Sequence, residues 1–369
     1  MGKREWHIWD FPDDLYVLMS NPTRDEFFKA MYRKFGSQAT YARFLNTDRN
    51  CIQGYHYARY WYKSKKPIKF TPISVLKKSF QYIDENLRKK IEGNILEIRK
   101  QEKSLINPIL PIKESPALYR VIANMIGDGS ASLGKTPYYS NSCKELRERF
   151  REDLKVMGNV RPYDGYLTVP TICFEKTITD LLSYVFDVRF SYPNRLPKQI
   201  FTASEECKSA FIQALFDDEG TVSTNIAIAM RSKALIQELK KLMKSLDIAT
   251  GRVSRKKSDK LKDNYAIQIR ANSIQRFRDV IGCYHPEKKR KLEVKLKIRE
   301  RNNTRRTRPL EWTREQIMVA IAMKPRGTLE LSEKLLLTLN GCYYHLNYLE
   351  KKGIIRRTGY KNKVIWKIN

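Results

Sequence analysis

One stretch of this sequence occurs twice, and the duplication limits the possible folds more than any other feature. ALYRVIANMIGDGSA begins at Ala117 and SAFIQALFDDEGTV at Ser209. In the first copy Leu118, Val121, Ile122, Met125 and Ile126 recur at helical spacing, and in the second Phe211, Ile212, Leu215 and Phe216 do the same. The first helix runs into Gly127-Asp128-Gly129 and the second into Asp218-Glu219-Gly220, so the last acids lie 219 − 128 = 91 positions apart. The elements downstream of each copy repeat as well. KELRERFREDLKVMG predicts a basic helix, GYLTVPTICF a strand and ITDLLSYVF a closing helix; after the second copy come the strand NIAIAM, the helix KALIQELKKLMKSL, the strand YAIQIR and the helix IQRFRDVIG. A single copy would leave an apolar helix unburied, so the two are expected to pack as a pseudo-dimer.

Charge narrows the partner. The chain has 369 residues, with 71 Lys+Arg against 40 Asp+Glu and a net charge of +31. Such a surplus repels itself unless a polyanion screens it, and nucleic acid is the natural polyanion. No apolar run approaches the roughly 20 residues of a spanning helix, so no membrane partner is expected. MGKREWHIWDFPDD lacks the apolar core of a signal peptide. Cys51, Cys143, Cys173, Cys207, Cys283 and Cys342 include no C-x-x-C pair. Reduced thiols and a cytoplasmic, nucleoid-associated protein are the expectation.

Both flanks suggest further DNA-reading units. Residues 1–110 are expected to form a helical domain. Arg24 to Lys34 predicts an amphipathic helix, and Ser37 an N-cap for a short helix ending near Leu45. After the turn Asn46-Thr47-Asp48, a second helix would carry Gln53, His56, Arg59 and Lys63, the pattern of a helix-turn-helix. A charged helix is expected over 84–103, and Asn107 to Pro111 as a linker. The core is expected over 112–295, with repeats of about 115–203 and 208–295. A basic linker, 296–311, comes next; between Lys288 and Arg308 there are eleven Lys/Arg and two Glu. In 312–369, Thr313 should cap the first of three helices, and an alternating Gly-containing stretch should close a hairpin. That order resembles the winged helix-turn-helix family, whose third helix here would present Tyr343 and His345 and whose wing would carry Arg356, Arg357, Lys361 and Lys363 to phosphates.

VIANMIGDG and IQALFDDEG resemble the motifs of the LAGLIDADG homing-endonuclease family, especially the branch found in inteins. The resemblance covers about residues 115–295. It implies an α+β fold: a duplicated αββαββα pseudo-dimer flanked by small, mostly α-helical DNA-binding domains. It also implies that the motif helices cross at Ala123 and Ala214, and that Asp128 and Glu219 bind the metal, Mg²⁺ or Mn²⁺. Hard cations suit carboxylates and supply what phosphodiester hydrolysis needs. Family members place basic residues near the scissile phosphates; segments resembling those positions, NRLPKQIF and HPEKKRKL, put Arg195 or Lys198 and Lys288 there. The family usually has Lys where Arg195 stands, and Asp where Glu219 stands. The chain has neither the N-terminal nucleophile nor the penultimate His of inteins, so a freestanding protein is expected. The implied function is a monomeric, site-specific double-strand DNA endonuclease. The alternatives are a non-cleaving regulator of the WhiA type and a maturase that binds intron RNA.

Overall fold

The computed structural model describes residues 4–57, 60–61, 64–67, 70–100, 104–132, 135–256, 264–303, 309–359 and 364–369. Two helices cross at its centre, Pro116–Ile126 and Glu205–Glu219. Each starts at a serine whose hydroxyl accepts a backbone N–H three residues on: Ser115 from Leu118 and Ser204 from Cys207. They pack directly on each other, and Ala123 and Ala214 are both buried.

Each central helix leads into the same succession of elements. The first is followed by strands Gly129–Ser130 and Tyr138–Ser140, helix Lys144–Leu154, strands Tyr163–Tyr166 and Pro170–Cys173, and helix Lys176–Phe186. The second is followed by Gly220–Val222, Ile226–Met230, helix Lys233–Lys244, Ser254–Lys256, Asn264–Gln268 and helix Ile274–Val280. The strands form two antiparallel four-stranded sheets of identical order, in which the strand after the motif pairs the next strand, then the fourth, then the third. Gly129 faces Tyr139 across the first pair of strands and Gly220 faces Ile228 across the second. The two halves therefore share one element order and one strand pairing, with connections of different length. The fold is α+β, and the αββαββα duplication expected from the sequence is the arrangement found.

The N-terminal flank departs from expectation. Residues 84–103 are not one helix: helix Glu85–Gly93 ends at Asn94, and strand Ile95–Arg99 comes directly after it. That strand lies inside a five-stranded sheet ordered Gly158–Asn159, Ser104–Pro108, Ile95–Arg99, Tyr16–Met19, Thr71–Pro72. The cause is non-local. β-branched Ile95 and Ile98 find partners in Tyr16–Met19, almost eighty residues earlier, which no local pattern shows. Nor do residues 107–111 separate two domains. Ser104–Pro108 pairs with Gly158–Asn159 of the first repeat, and Glu5–Trp6 pairs with Ile112–Lys113. Trp6 packs on Phe186, with ring centroids 4.8 Å apart. One continuous apolar core runs from Trp6 to Leu296.

Helix Pro286–Asn303 leaves this core, so the first half of the expected basic linker, 296–303, is helical; residues 304–308 lie outside the described set. Helices Leu310–Met323, Thr328–Leu335 and Leu339–Lys351, with strands Arg326–Gly327, Ile355–Thr358 and Ile365–Ile368, enclose a second, small core around Ile317, Leu346 and Trp366. Thr313 is not the cap expected of it: the helix begins at Leu310, and the buried Thr313 hydroxyl donates back to the Pro309 carbonyl. Among the described residues, no helix is long and apolar enough to cross a membrane.

The shared core carries a prediction. A fragment 112–303 should melt well below the full chain and bind a hydrophobic dye, and adding fragment 1–111 should restore the melting temperature. Independent, unchanged melting of the two fragments would contradict the continuous core.

Candidate functional site

The two motif glycines fix where the acids sit. At Gly129 an added Cβ would lie 2.4 Å from Met125 Cα; at Gly220 it would lie 2.4 Å from the Phe216 carbonyl oxygen and ring. Neither glycine has positive φ. Each is needed for space, because the chain turns back against its own last helical turn. Asp128 and Glu219 therefore emerge at matching helix ends, where the two helices meet.

At that meeting point Gly127 touches Asp218. A Cβ on Gly127 would be 2.9 Å from both Asp218 Cβ and Asp218 Oδ2. Asp218 is held by three donors: Tyr139 Oη at 2.6 Å, Asn124 Nδ2 at 2.9 Å and Asn141 Nδ2 at 3.2 Å. Asn141 Nδ2 also donates to Asp128 Oδ2 at 2.9 Å. Asp217, 1% exposed, turns the other way and accepts the backbone N–H groups of Tyr284 and His285.

The electrostatics come from crowding acids at a dry helix junction. Burial pushes the Glu219 carboxyl up to about 7, and the Asp128 charge adds to the rise, against the pull of Lys288 and Arg231. Asp128 is also raised, by burial first, while Lys288 and the Asn141 hydrogen bond oppose the rise. Burial and the neighbouring Asp128 raise Asp218 well above the usual carboxylate range. Buried carboxylates that repel each other gain most from a bound cation. Among the described residues no group of three or more His, Cys, Asp or Glu is arranged to hold a metal. Asp128 and Glu219 fit a hard ion that keeps several waters, Mg²⁺ in character, rather than an all-protein cage.

The basic residues expected near these acids separate. Lys288 is at the site: its Nζ donates to the carbonyls of Asp217 at 2.6 Å, Phe216 at 3.0 Å and Asp218 at 3.4 Å, closing the end of the second motif helix. Arg195 pairs with Asp187 and lines a groove of about 1230 Å³ with Asp13, Asp14 and Asp180. Lys198 is exposed at the start of a short 3₁₀ turn, Lys198–Thr202. Neither is among the charges that act on Asp128 or Glu219, whereas Arg231 is. Arg231, Asn124, Tyr139, Asn141 and Asp218 were not singled out by the sequence. One signal was available: Asn124 is an uncharged polar residue within the apolar run Val121 to Ile126.

On the flanks, Ser37 caps helix Gln38–Leu45 as expected, and its hydroxyl accepts the Thr40 N–H. Gln53, on helix Arg49–Tyr57, donates weakly to Gln38, at 3.4 Å. His56 does not face solvent. It is 4% exposed, stacks on Phe28 and bonds Asp25 at 2.9 Å. Arg59, Lys63, Lys361 and Lys363 lie outside the described residues. Tyr343 is exposed on helix Leu339–Lys351, but His345 is buried, which corrects its expected role as a DNA contact. Cys342, His345, Leu346 and Leu349 recur at helical spacing and form the inner face of that helix. Arg356 and Arg357 are exposed on Ile355–Thr358, and Arg357 bonds Glu350 at 3.2 Å.

Comparison with known proteins adds three findings. Residues 206–282 match the model of the LAGLIDADG-like domain. Over 207 residues the chain is 24% identical to the isomerizing glutamine–fructose-6-phosphate aminotransferase of Methanocaldococcus jannaschii; the match takes in 52% of this chain but only 18% of that longer protein. Among solved structures, I-DmoI in complex with DNA and Mn aligns at 12% identity and a TM-score of 0.35, covering 45% of this chain and 96% of its own. Full-length DUF199/WhiA from Thermatoga maritima aligns at 13% identity and a TM-score of 0.34, covering 64% of this chain and 90% of its own.

The helix exit itself is testable. Gly220→Ala should cost about 1–3 kcal/mol through overpacking against Phe216, read as a lower melting temperature. Gly93→Ala, with nothing within 4 Å of the new Cβ, should change stability by at most about 1 kcal/mol. Equal melting of the two variants would contradict the close approach.

Proposed function

We propose, from the premise that this chain carries a LAGLIDADG-like domain over residues 206–282 and a second copy of its element order before it, that it is a metal-dependent, site-specific DNA endonuclease. The observation that carries this reading is the convergence of Asp128 and Glu219 at equivalent ends of two packed helices, where burial and the Asp128 charge raise the Glu219 carboxyl. Two acids related by a pseudo-twofold axis suit a substrate that is itself two-fold, a duplex with one scissile bond on each strand.

In this reading Asp128 and Glu219 hold Mg²⁺ or Mn²⁺, one acid serving each strand. A divalent ion so held neutralises phosphoryl oxygens and lowers the pKa of a bound water. Asn141 holds one oxygen of Asp128 and leaves the other available. Lys288, bonded to carbonyls at the helix end, opposes the rise of both acids. The two sheets would lie across the duplex, and the second has the more basic outer hairpin: from Arg252 to Arg270 there are seven Lys/Arg and two Asp. Tyr343 on helix Leu339–Lys351, with Arg356 and Arg357 on the adjoining hairpin, would extend the footprint as a winged helix does. Gln53 would do the same from the N-terminal helix pair.

One observation favours a second reading, a regulator of the WhiA type that binds without cutting. The Lys288 ammonium is engaged by three carbonyls rather than left open for a phosphate.

A randomised duplex library incubated with the protein and Mg²⁺, then sequenced at its new ends, separates the two. The endonuclease reading predicts one enriched cut site. It further predicts that Asp128→Asn and Glu219→Gln each lower cleavage at least about 100-fold, the scale of a lost electrostatic stabiliser, while affinity for the same duplex stays within a few-fold. Specific binding with no enriched ends would establish the regulator instead.

A further inference from the structure

The two halves share element order and strand pairing but differ sharply around their acids. Because Gly129 faces Tyr139 and Gly220 faces Ile228, the strand residues correspond: Tyr139 with Ile228 and Asn141 with Met230. The constant spacing of 91 along the motif helices matches Asn124 with Leu215, Gly127 with Asp218 and Asp128 with Glu219. The first half thus has three polar side chains, Asn124, Tyr139 and Asn141, where the second has Leu215, Ile228 and Met230. All three donate to Asp218, the extra acid that the second half alone possesses.

Asn141 is the pivot of this arrangement. Its Oδ1 accepts the Cys143 backbone N–H at 2.9 Å, which fixes which end of the amide is which. Its Nδ2 is thereby aimed at Asp128 Oδ2 and Asp218 Oδ1. Its own backbone is clamped as well: its N–H donates to the Pro170 carbonyl, and its carbonyl accepts Arg147 Nη1 at 2.6 Å. Asp218 is pinned in turn by Tyr139 and Asn124 and by its fit against Gly127. Asp128 therefore sits in a preset orientation, with one oxygen committed to Asn141 and the other making no hydrogen bond among the described residues. Glu219 has a methionine at the corresponding position, and its side chain is one methylene longer. Among the described residues it makes no side-chain hydrogen bond, and the charges that attract it, Lys288 and Arg231, act at a distance.

We propose that Asn141, locked by Asp218 and the Cys143 N–H, is a positioning residue that presets Asp128, so that the two halves hold metal unequally, with the Asp128 end the tighter. This rests on the metal-binding reading above. Partners that orient a ligating carboxylate typically contribute 10–100-fold in metal affinity. The duplicated centre is consequently built as one prepared end and one adaptable end.

The probe is Mn²⁺, titrated into the full-length protein without DNA and followed by the EPR signal of the free ion. Wild type should show two classes of site. Glu219→Gln should remove the weaker and Asp128→Asn the tighter. Asn141→Met, which copies the second half, should weaken the tighter class by about 10–100-fold and leave the weaker in place. Asp218→Gly, which copies Gly127, should weaken the same class through the freed amide. A purely structural role for Asn141 would lower the melting temperature without changing the ratio of the two affinities, so thermal melts accompany each titration. An unchanged isotherm in Asn141→Met, or loss of the tighter class in Glu219→Gln, overturns the proposal while leaving metal binding intact. Absence of any Mn²⁺ binding in wild type overturns the metal assignment itself, and this proposal with it.

Discussion

Everything in the centre of this protein depends on the close packing of Pro116–Ile126 against Glu205–Glu219. The bare Cα of Gly127 against Asp218 lets the helix ends meet, and the small side chains of Ala123 and Ala214 are buried. Gly129 and Gly220 then turn the chain out without a Cβ, so each helix end becomes the start of a sheet. The same contact that buries the apolar faces forces two carboxylates together. Packing and electrostatics pull in opposite directions there: burial of the helix faces stabilises the junction, while burial, together with the Asp128 charge, raises the Glu219 carboxyl. In the reading proposed above, a bound cation would relieve that conflict.

The sequence showed this centre because its signals were local. The 3.6-residue rhythm, the glycine-bounded acids and the strands after them occur twice, and repetition made each weak signal strong. The capping of Gln38–Leu45 by Ser37 was legible for the same reason. The five-stranded sheet was not, since Ile95–Arg99 pairs with Tyr16–Met19 and Ser104–Pro108 with Gly158–Asn159. Those pairings carry the chain across the expected boundary at 107–111 and merge two expected domains into one core. His345 was legible and misjudged: its place among Cys342, Leu346 and Leu349 marks the inner face of its helix.

Asn141 shows the limit in another way. It sits in an unremarkable YYSNS stretch, and its role exists only where the first sheet edge, the first motif turn and Asp218 of the second helix converge. A pseudo-symmetric backbone conceals such differences, because the duplication that makes the acids recognisable also suggests that their surroundings match. They do not. The first half supplies two amides and a phenol that bond Asp218, one of the amides bonding Asp128 as well, where the second half has Leu215, Ile228 and Met230 at the corresponding positions.

The central claim is that Asp128 and Glu219 share one site, and a double-mutant cycle on stability tests it without knowledge of the substrate. A carboxylate whose folded pKa is raised destabilises the fold at high pH, and that cost disappears as pH falls through the folded value. Unfolding should therefore be measured with EDTA at a pH above Glu219's value of about 7. Asp128→Asn and Glu219→Gln should each stabilise, and the double variant should gain less than their sum by at least about 0.5 kcal/mol, because either change alone removes the repulsion. Gains that add within about 0.3 kcal/mol would show that the two acids do not meet.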